Sequence, residues 1–261
     1  MDDALTFGPE QVPLSVLDLA PVPDGGSAGD ALRATIDLAR HAERLGFRRF
    51  WVAEHHNMPG IASSAPPVLI GHPFARITAV PGRGHQPAMW LLGSSGYSAQ
   101  VAGLLGLPFA FAHHFSPANT IPALALYRSH FRPSEVLDRP YAMVAAAVIC
   151  AETDERARWL AGPGALSFLR LRAGRPGPLP SPQEAAAYSY TELERAFVAD
   201  RRATQILGTP ESVRRGLADL LAATAADELM LTTMVFDPAD RLRSFELVAD
   251  LARAAQPLDA S

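Results

Sequence analysis

Two adjacent histidines, His55 and His56, follow Glu54 directly after an apolar segment at residues 47–53. An imidazole has a reference pKa of about 6.5, so it can take up and release a proton near neutral pH. Successive strand residues point to opposite faces, so we expect only one of the two rings to reach a given site. The position indicates either proton transfer by His55 or a histidine that only satisfies the strand end. Glu54 can assist His55, contact a ligand or pair with an arginine.

A second polar group, Gly93-Ser94-Ser95, joins an apolar segment to a predicted helix. Backbone N–H groups at a helix N-terminus, together with two hydroxyls, form a binding site for anions such as phosphate. Serine is also a preferred N-cap residue, so ordinary capping explains the same pattern. Both interpretations stay open on spacing alone.

The remaining polar strand ends are Asp18 and the pair His113 and His114. The two histidines can line a substrate site or lie at the surface, and Asp18 can contact a ligand or cap its loop. His113 and His114, together with Glu54 and His55, also raise the alternative of a metal-dependent hydrolase. Zinc ligands usually come at helical spacing or from alternate strand positions, which adjacent histidine pairs do not provide, so no metal ligand is predicted.

The elements that position these residues alternate between apolar strands and amphipathic helices. Six apolar segments read as strands, each followed by a helix, at residues 12–19, 47–53, 89–92, 109–112, 141–150 and 228–235. Nearly continuous apolar strands are typical of a parallel sheet covered on both faces. Ser27 and Asp30 form a capping box, and Gly46 suits the end of the helix that follows. Trp51, Trp90, Phe109 and Phe111 are predicted core residues.

Five segments in order resemble the bacterial luciferase-like flavin-dependent monooxygenases. They are Leu14–Asp18, Trp51–Asn57, Trp90–Ser95, Gly106–Ala112 and Gly208–Glu211. The resemblance extends over nearly the whole chain, and it implies a TIM-type (β/α) barrel, which needs about 250 residues. The chain has 261 residues, so residues 1–261 are predicted to form a single barrel domain.

The resemblance also implies the ligand and the roles of the polar strand ends. Members of the family bind reduced flavin mononucleotide (FMN), or in some cases the deazaflavin F420, at the carboxyl ends of the strands. By this resemblance, His55 is the catalytic base, and Glu54, Gly93, Ser94 and Ser95 bind the cofactor, with its phosphate at the two serines. The expected reaction is oxygenation of an organic substrate by reduced FMN and O2.

The chain departs from the family between His72 and Met89, where family members carry a third and a fourth β/α unit. One βαβ unit takes about 30 residues or more, and this interval is shorter. We therefore expect an incomplete barrel of about six of eight units, with a deletion junction at residues 70–74. The absent part carries an arginine that helps to hold the phosphate in the family. The strands on either side of the gap, at residues 47–53 and 89–92, which correspond to strands two and five of the family barrel, then either pair directly or leave open edges.

Composition excludes several other classes of protein. The net charge is −4, so no basic excess favours binding to a phosphate backbone, and no nucleic-acid partner is predicted. The amino-terminal residues do not form a signal peptide, and no long apolar run predicts a membrane span. Cys150 is the single cysteine and lies in an apolar run, which indicates a buried structural thiol in a reducing compartment. We expect a cytoplasmic protein.

The expected partners are a small organic substrate, O2 and a separate flavin reductase, because no nicotinamide-binding glycine motif is present. Because members of the family dimerise near the absent region, we expect either a changed homodimer or a protein of low stability. The main alternative is a non-catalytic flavin-binding protein, or an inactive remnant, similar to the shortened non-fluorescent flavoprotein of luminous bacteria.

Overall fold

The computed structural model describes residues 4–8, 10–64 and 89–254. The predicted junction at 70–74, a helix expected from about Ser64 and an extended piece at 75–80 lie largely or wholly outside the described residues. The strands are β1 (Thr6–Phe7), β2 (Val12–Asp18), β3 (Phe50–Val52), β4 (Leu91–Gly93), β5 (Phe109–Phe111), β6 (Ala142–Cys150), β7 (Ile206–Gly208) and β8 (Glu228–Thr232). All six predicted strands are present, and each is shorter than expected, with the largest differences at β3 and β8.

Eight helical segments cover the sheet in the described part of the chain, apart from one 3-10 turn at Pro117–Asn119. They are α1 (Ala28–Leu45), α2 (Gly96–Leu105), α3 (Thr120–His130), α4 (Asp154–Arg172), α5 (Pro182–Ala187), α6 (Glu192–Ala203), α7 (Pro210–Thr224) and α8 (Pro238–Ala254). The predicted limits of α1 are confirmed: Ser27 and Asp30 form the capping box, and Gly46 ends the helix at φ 89°. The 3-10 turn at Pro117–Asn119 directly precedes α3.

The strands form one sheet in the spatial order β3-β2-β8-β6-β5-β4, and these neighbours are parallel. β1 adds an antiparallel pairing to the start of β2, and β7 pairs in parallel with the end of β6. The sequence did not predict β1 or β7. Both are too short for periodicity to distinguish them from loop.

The strands β3 and β4 stand at the two ends of this order. Among the described residues they share no backbone pairing, so of the two alternatives, direct pairing or open edges, direct pairing is not found there. The rings of Trp51 and Trp90 nevertheless make contact between these two ends. The structure is therefore an α/β fold with a parallel sheet that does not close within the described residues.

Two layers of core lie on opposite faces of the sheet. The larger one packs the sheet against the helices and includes Leu14, Phe109, Phe111 and Cys150. The smaller one fills the inner face with Leu17, Ala110, Met143, Ala145 and Met230, with Trp51 and Trp90 against it. The predicted core positions of Phe109 and Phe111 are confirmed. Burial raises the pKa of the Cys150 thiol to about 12, as expected of a structural cysteine.

Glu228 joins the amino ends of several strands from a fully buried position. Its carboxylate accepts hydrogen bonds from Ser15 and from the guanidinium of Arg49, and from the hydroxyl of Tyr141 at 3.0 Å. Burial, and then the Glu228 charge, raise the pKa of Tyr141 to about 12. This network lies at the end of the sheet opposite to the polar strand ends.

Candidate active site

A cavity of about 710 Å³ opens at the carboxyl ends of the strands. Glu54, His55, Gly93 and Ser94 are among the residues that line it. The structure thus brings together four of the five predicted site residues, from the ends of β3 and β4. Ser95 is not among the lining residues and is exposed. Parallel strands place their carboxyl ends on one side of a sheet, which explains why sequence positions so far apart share one cavity.

His55 faces the cavity, whereas His56 is exposed and is not a lining residue. This confirms that the two rings point to different sides. Burial, and then the nearby charge of His56, lower the pKa of His55. Its Nδ1 atom is buried and has no hydrogen-bond partner among the described residues. The ring is therefore mainly neutral at pH 7 and able to accept a proton.

Glu54 makes a contact that the sequence did not suggest. Its Oε1 atom lies 2.8 Å from Nε2 of His56, and both side chains are exposed. The partner considered from the sequence was an arginine or, indirectly, His55. His56 lies two positions further along the chain, beyond the end of β3 at Val52.

Ser94 and Ser95 precede α2, as predicted, with Ser95 at the N-cap position. The Ser95 side chain makes no capping hydrogen bond to the first turn. Gly93 has a steric reason to be glycine, because a Cβ there would lie 1.9 Å from the Ser98 hydroxyl. The first turn of α2 consequently lies close to the end of β4, with Ser94 beside it facing the cavity.

The second histidine pair divides between two environments. His114 lines the cavity, and its Nδ1 lies 3.1 Å from the carbonyl oxygen of Ala145. Burial lowers the pKa of His114 to about 4, and the charge of Arg201 contributes. His113 is not a lining residue, and its Nδ1 lies 2.8 Å from the hydroxyl of Thr120. Burial also lowers the pKa of His113.

Asp18 is part of a structural ion pair rather than the cavity wall. Its Oδ1 accepts hydrogen bonds from Arg241 at 2.9 Å and from the backbone of Ala20 at 3.1 Å. Both side chains of the pair are almost completely buried. This contact attaches α8 to the end of β2. The sequence gave no indication of the partner, since the two residues are 223 positions apart.

The polar residues of the cavity that were missed from the sequence include Arg201, Gln205 and Thr232. The Oε1 atom of Gln205 and the hydroxyl of Thr232 are buried without a hydrogen-bond partner in the described part of the chain. Such atoms usually have a partner in the complete functional state, which a ligand can provide. Thr232 ends β8, but the strand was predicted to run to residue 235, so Thr232 was not recognised as a strand end. The positions of Arg201 and Gln205 in the cavity wall depend on how α6 packs, and no sequence signal indicated them.

Much of the remaining wall is apolar. It includes Phe115, Phe168, Leu171, Leu179 and Met234. The loops that follow β2, β3 and α4 meet at this rim, through the isolated pairings Pro21–Ile61 and Pro23–Leu179. No group of three or more histidine, cysteine or acidic residues is arranged for a metal ion among residues 4–8, 10–64 and 89–254. Within those same ranges, no helix is long and apolar enough to cross a membrane.

The model of the luciferase-like monooxygenase family matches residues 12–76 and 71–228. The chain is 38% identical to the uncharacterized protein YvbT of Bacillus subtilis (strain 168) over 322 aligned positions, covering 91% of this chain and 96% of that protein. It is 34% identical to a luciferase-like monooxygenase of Escherichia coli (strain K12), covering 92% and 97% respectively. The chain therefore belongs to the luciferase-like monooxygenase family.

Solved structures agree with this assignment. The crystal structure of apo-MsnO8 superposes with a TM-score of 0.82 at 28% identity, covering 95% of this chain and 100% of that one. Two more distant structures share the fold: the oxygenating constituent of 3,6-diketocamphane monooxygenase in complex with FMN (TM-score 0.65, 14% identity) and an F420-dependent secondary alcohol dehydrogenase (TM-score 0.59, 11% identity). A flavin or deazaflavin is thus the cofactor class of these neighbours.

Proposed function

We propose that this protein is an FMN-dependent monooxygenase that oxygenates a small organic substrate with O2, using reduced FMN from a separate reductase. The observation that carries the proposal is the single cavity at the strand ends, which His55 and Ser94 both line. A site of this kind, mostly apolar with a few convergent polar groups, is typical of cofactor binding. F420 remains the alternative cofactor.

The described residues fit the cofactor in two respects. The volume of the cavity, about 710 Å³, lies within the usual range for ligand sites. Three of its buried polar atoms, Nδ1 of His55, Oε1 of Gln205 and the hydroxyl of Thr232, have no partner among the described residues and can bond to a polar ring system. Ser94 and the free N-terminus of α2 would hold the phosphate, while Ser95 would act from the edge of the site.

When bound, reduced FMN supplies the electrons and the site of oxygen activation. The role of this chain is then to position the cofactor and the substrate, to exclude water and to transfer protons. His55 has a lowered pKa and an unpaired ring nitrogen, so it is the group suited to accept a proton beside the cofactor. The apolar wall of Phe115, Phe168 and Leu171 would help to keep water from the reacting atoms.

We also propose that the chain lacks the third and fourth β/α units of the family barrel, with the junction at residues 70–74. Two observations support this. The relatives align over 322 and 324 positions, more than the 261 residues of this chain. The family model matches in two pieces that meet at residues 71–76. A deletion there accounts for both, and for the absence of pairing between β3 and β4 in the described residues.

The test compares binding with chemistry. Titration with FMN, followed by flavin fluorescence, should give saturable one-to-one binding by the wild-type protein and by His55→Ala. Mixing the reduced complex with O2 should then show a reaction at least about 100-fold slower in His55→Ala, the range expected for loss of a general base. His130→Ala is the matched control, because His130 ends α3 and is not a cavity-lining residue.

Different failures have different meanings. Equal losses of FMN affinity and oxygen reaction in His55→Ala would contradict its assigned role. Binding of FMN without any product from candidate substrates in the wild-type protein would favour the non-catalytic flavin-binding alternative. No binding of FMN or F420 would overturn the proposed function.

A further inference from the structure

Arg201 places a positive charge in the cavity wall near the end of α6. Its Nη1 donates a hydrogen bond to the backbone carbonyl of His114. No carboxylate lies within ion-pair distance of its guanidinium in the described ranges of the chain. Arg170, on α4, shows the usual arrangement by contrast, since it pairs with Glu184 at 2.6 Å.

Aromatic packing holds the Arg201 guanidinium in place. Its central carbon lies 4.1 Å from the centre of the Phe168 ring. Phe168 also stacks in parallel with Phe197, with ring centres 5.9 Å apart and an interplanar angle of 7°. Phe197 and Arg201 lie on the same helix, four residues apart, so α6 positions both. A side chain held in this way loses little conformational entropy when it binds a ligand.

The cavity offers Arg201 little compensating negative charge. Glu54, the one acidic lining residue in the described ranges, is paired with His56. Burial lowers the pKa values of His55 and His114, so both rings are mainly neutral at pH 7. Withdrawing a charge from water without a counter-ion is unfavourable, and an anionic ligand would offset that cost. The planar donor pattern of arginine matches carboxylate and phosphate groups.

We infer that Arg201 is an anion-binding residue of this cavity and contacts a phosphate or carboxylate group of the bound ligand. Two sources supply that chemistry: the phosphate of FMN, and an acidic group on the substrate. The apolar wall formed by Phe115, Leu171 and Met234 would hold the body of such a substrate. The inference rests on the proposed function only in taking this cavity as the ligand site.

The test uses two pairs of ligands that differ in one anionic group. FMN and riboflavin are titrated by flavin fluorescence, and 4-phenylbutyrate and 4-phenylbutanol by calorimetry on flavin-loaded and flavin-free protein. Arg201→Gln keeps a donor for the His114 carbonyl. In this variant, the ratio of affinities for the anionic and the neutral ligand should be about tenfold or more below that of the wild-type protein in at least one pair. Arg215→Gln is the control, because it removes an exposed charge outside the cavity.

The two pairs identify the source of the anion. A loss confined to FMN over riboflavin assigns the phosphate, and a loss confined to phenylbutyrate over phenylbutanol assigns a substrate acid. Unchanged preferences in both pairs, or equal effects in Arg215→Gln, would overturn the inference. If Arg201→Gln unfolds, Arg201→Lys supplies the test: it keeps the charge but loses the planar donor pattern, so the preference should fall, and an unchanged preference would overturn the inference. Failure of all flavin binding would end the proposed function, while the phenylbutyrate arm on flavin-free protein still tests Arg201.

Discussion

The indole rings of Trp51 and Trp90 meet edge to face, with centres 5.7 Å apart and an interplanar angle of 83°. Trp51 belongs to β3, and Trp90 immediately precedes β4, so the contact joins the two ends of the sheet order. Tyr141 extends the cluster, with its ring centre 5.6 Å from that of Trp90. Side chains thus connect two strands that have no described backbone hydrogen bonds with each other.

We expect Trp51 and Trp90 to stabilise the fold cooperatively. A double-mutant cycle with Trp51→Leu and Trp90→Leu should give a coupling of about 0.5–1.5 kcal/mol in the free energy of unfolding, the usual range for aromatic pairs. Urea denaturation measures it. The control cycle combines Trp90→Leu with Trp159→Leu on α4, which should couple negligibly. Similar values in both cycles would show that no specific contact joins the sheet ends.

Ser94 should contribute to FMN affinity through the phosphate. Ser94→Ala is expected to weaken FMN binding by about tenfold, because a hydrogen bond to a charged group is lost, and to leave riboflavin binding unchanged. Ser95→Ala should have a smaller effect, since Ser95 is not a cavity-lining residue. Parallel fluorescence titrations of both ligands measure this. If Ser94→Ala weakens both ligands alike, the anion site is wrongly placed.

The charge of His56 should set part of the proton affinity of His55. Burial is the larger cause of the lowered pKa of His55, and repulsion from His56 is the second. His56→Asn removes that repulsion, so the pKa of His55 should rise while remaining below 6.5. NMR titration of the imidazole protons reports it directly. A fall in the pKa after this substitution would contradict the described arrangement.

His114 should make stability depend on pH on the acid side. Its pKa is about 4 in the folded protein, against about 6.5 in the unfolded chain, so the unfolded chain binds the proton first as pH falls. The free energy of unfolding should be unaffected by His114 above about pH 6.5, decline below it and level off near pH 4. The loss is about 3 kcal/mol at most. Urea denaturation between pH 4.5 and 7.5 should show a weaker decline in His114→Asn.

Glu228 should be one of the most sensitive positions for stability. Glu228→Gln leaves the Arg49 charge uncompensated beside a buried amide, at an expected cost of about 2–4 kcal/mol. Glu211→Gln, which removes an exposed ion pair with Arg214, should cost less than about 1 kcal/mol. Urea denaturation of the two variants makes the comparison. Equal, small effects would mean that the network at the amino ends of the strands contributes little.

Local signals carried the sequence predictions that the structure confirms. Ser27, Asp30 and Gly46 define the ends of α1 through local capping interactions, and apolar runs define the six main strands. Strand ends also identified the cavity side, because parallel strands direct their carboxyl ends one way. Contacts between distant segments had no such signal. The Asp18–Arg241 ion pair and the position of Arg201 in the cavity wall follow only from helix packing.

The place of β2 between β3 and β8 has a consequence for how the chain acquires its structure. Ser15 and Glu228, which meet in the buried network, are 213 residues apart in sequence. Pairings of such high contact order form slowly, since a long loop must close before they stabilise anything. During synthesis, β2 cannot pair with its second neighbour, β8, until β8 has left the ribosome. Until then its apolar edge is open to other chains, so we expect the yield of folded protein to depend on chaperones and on expression temperature.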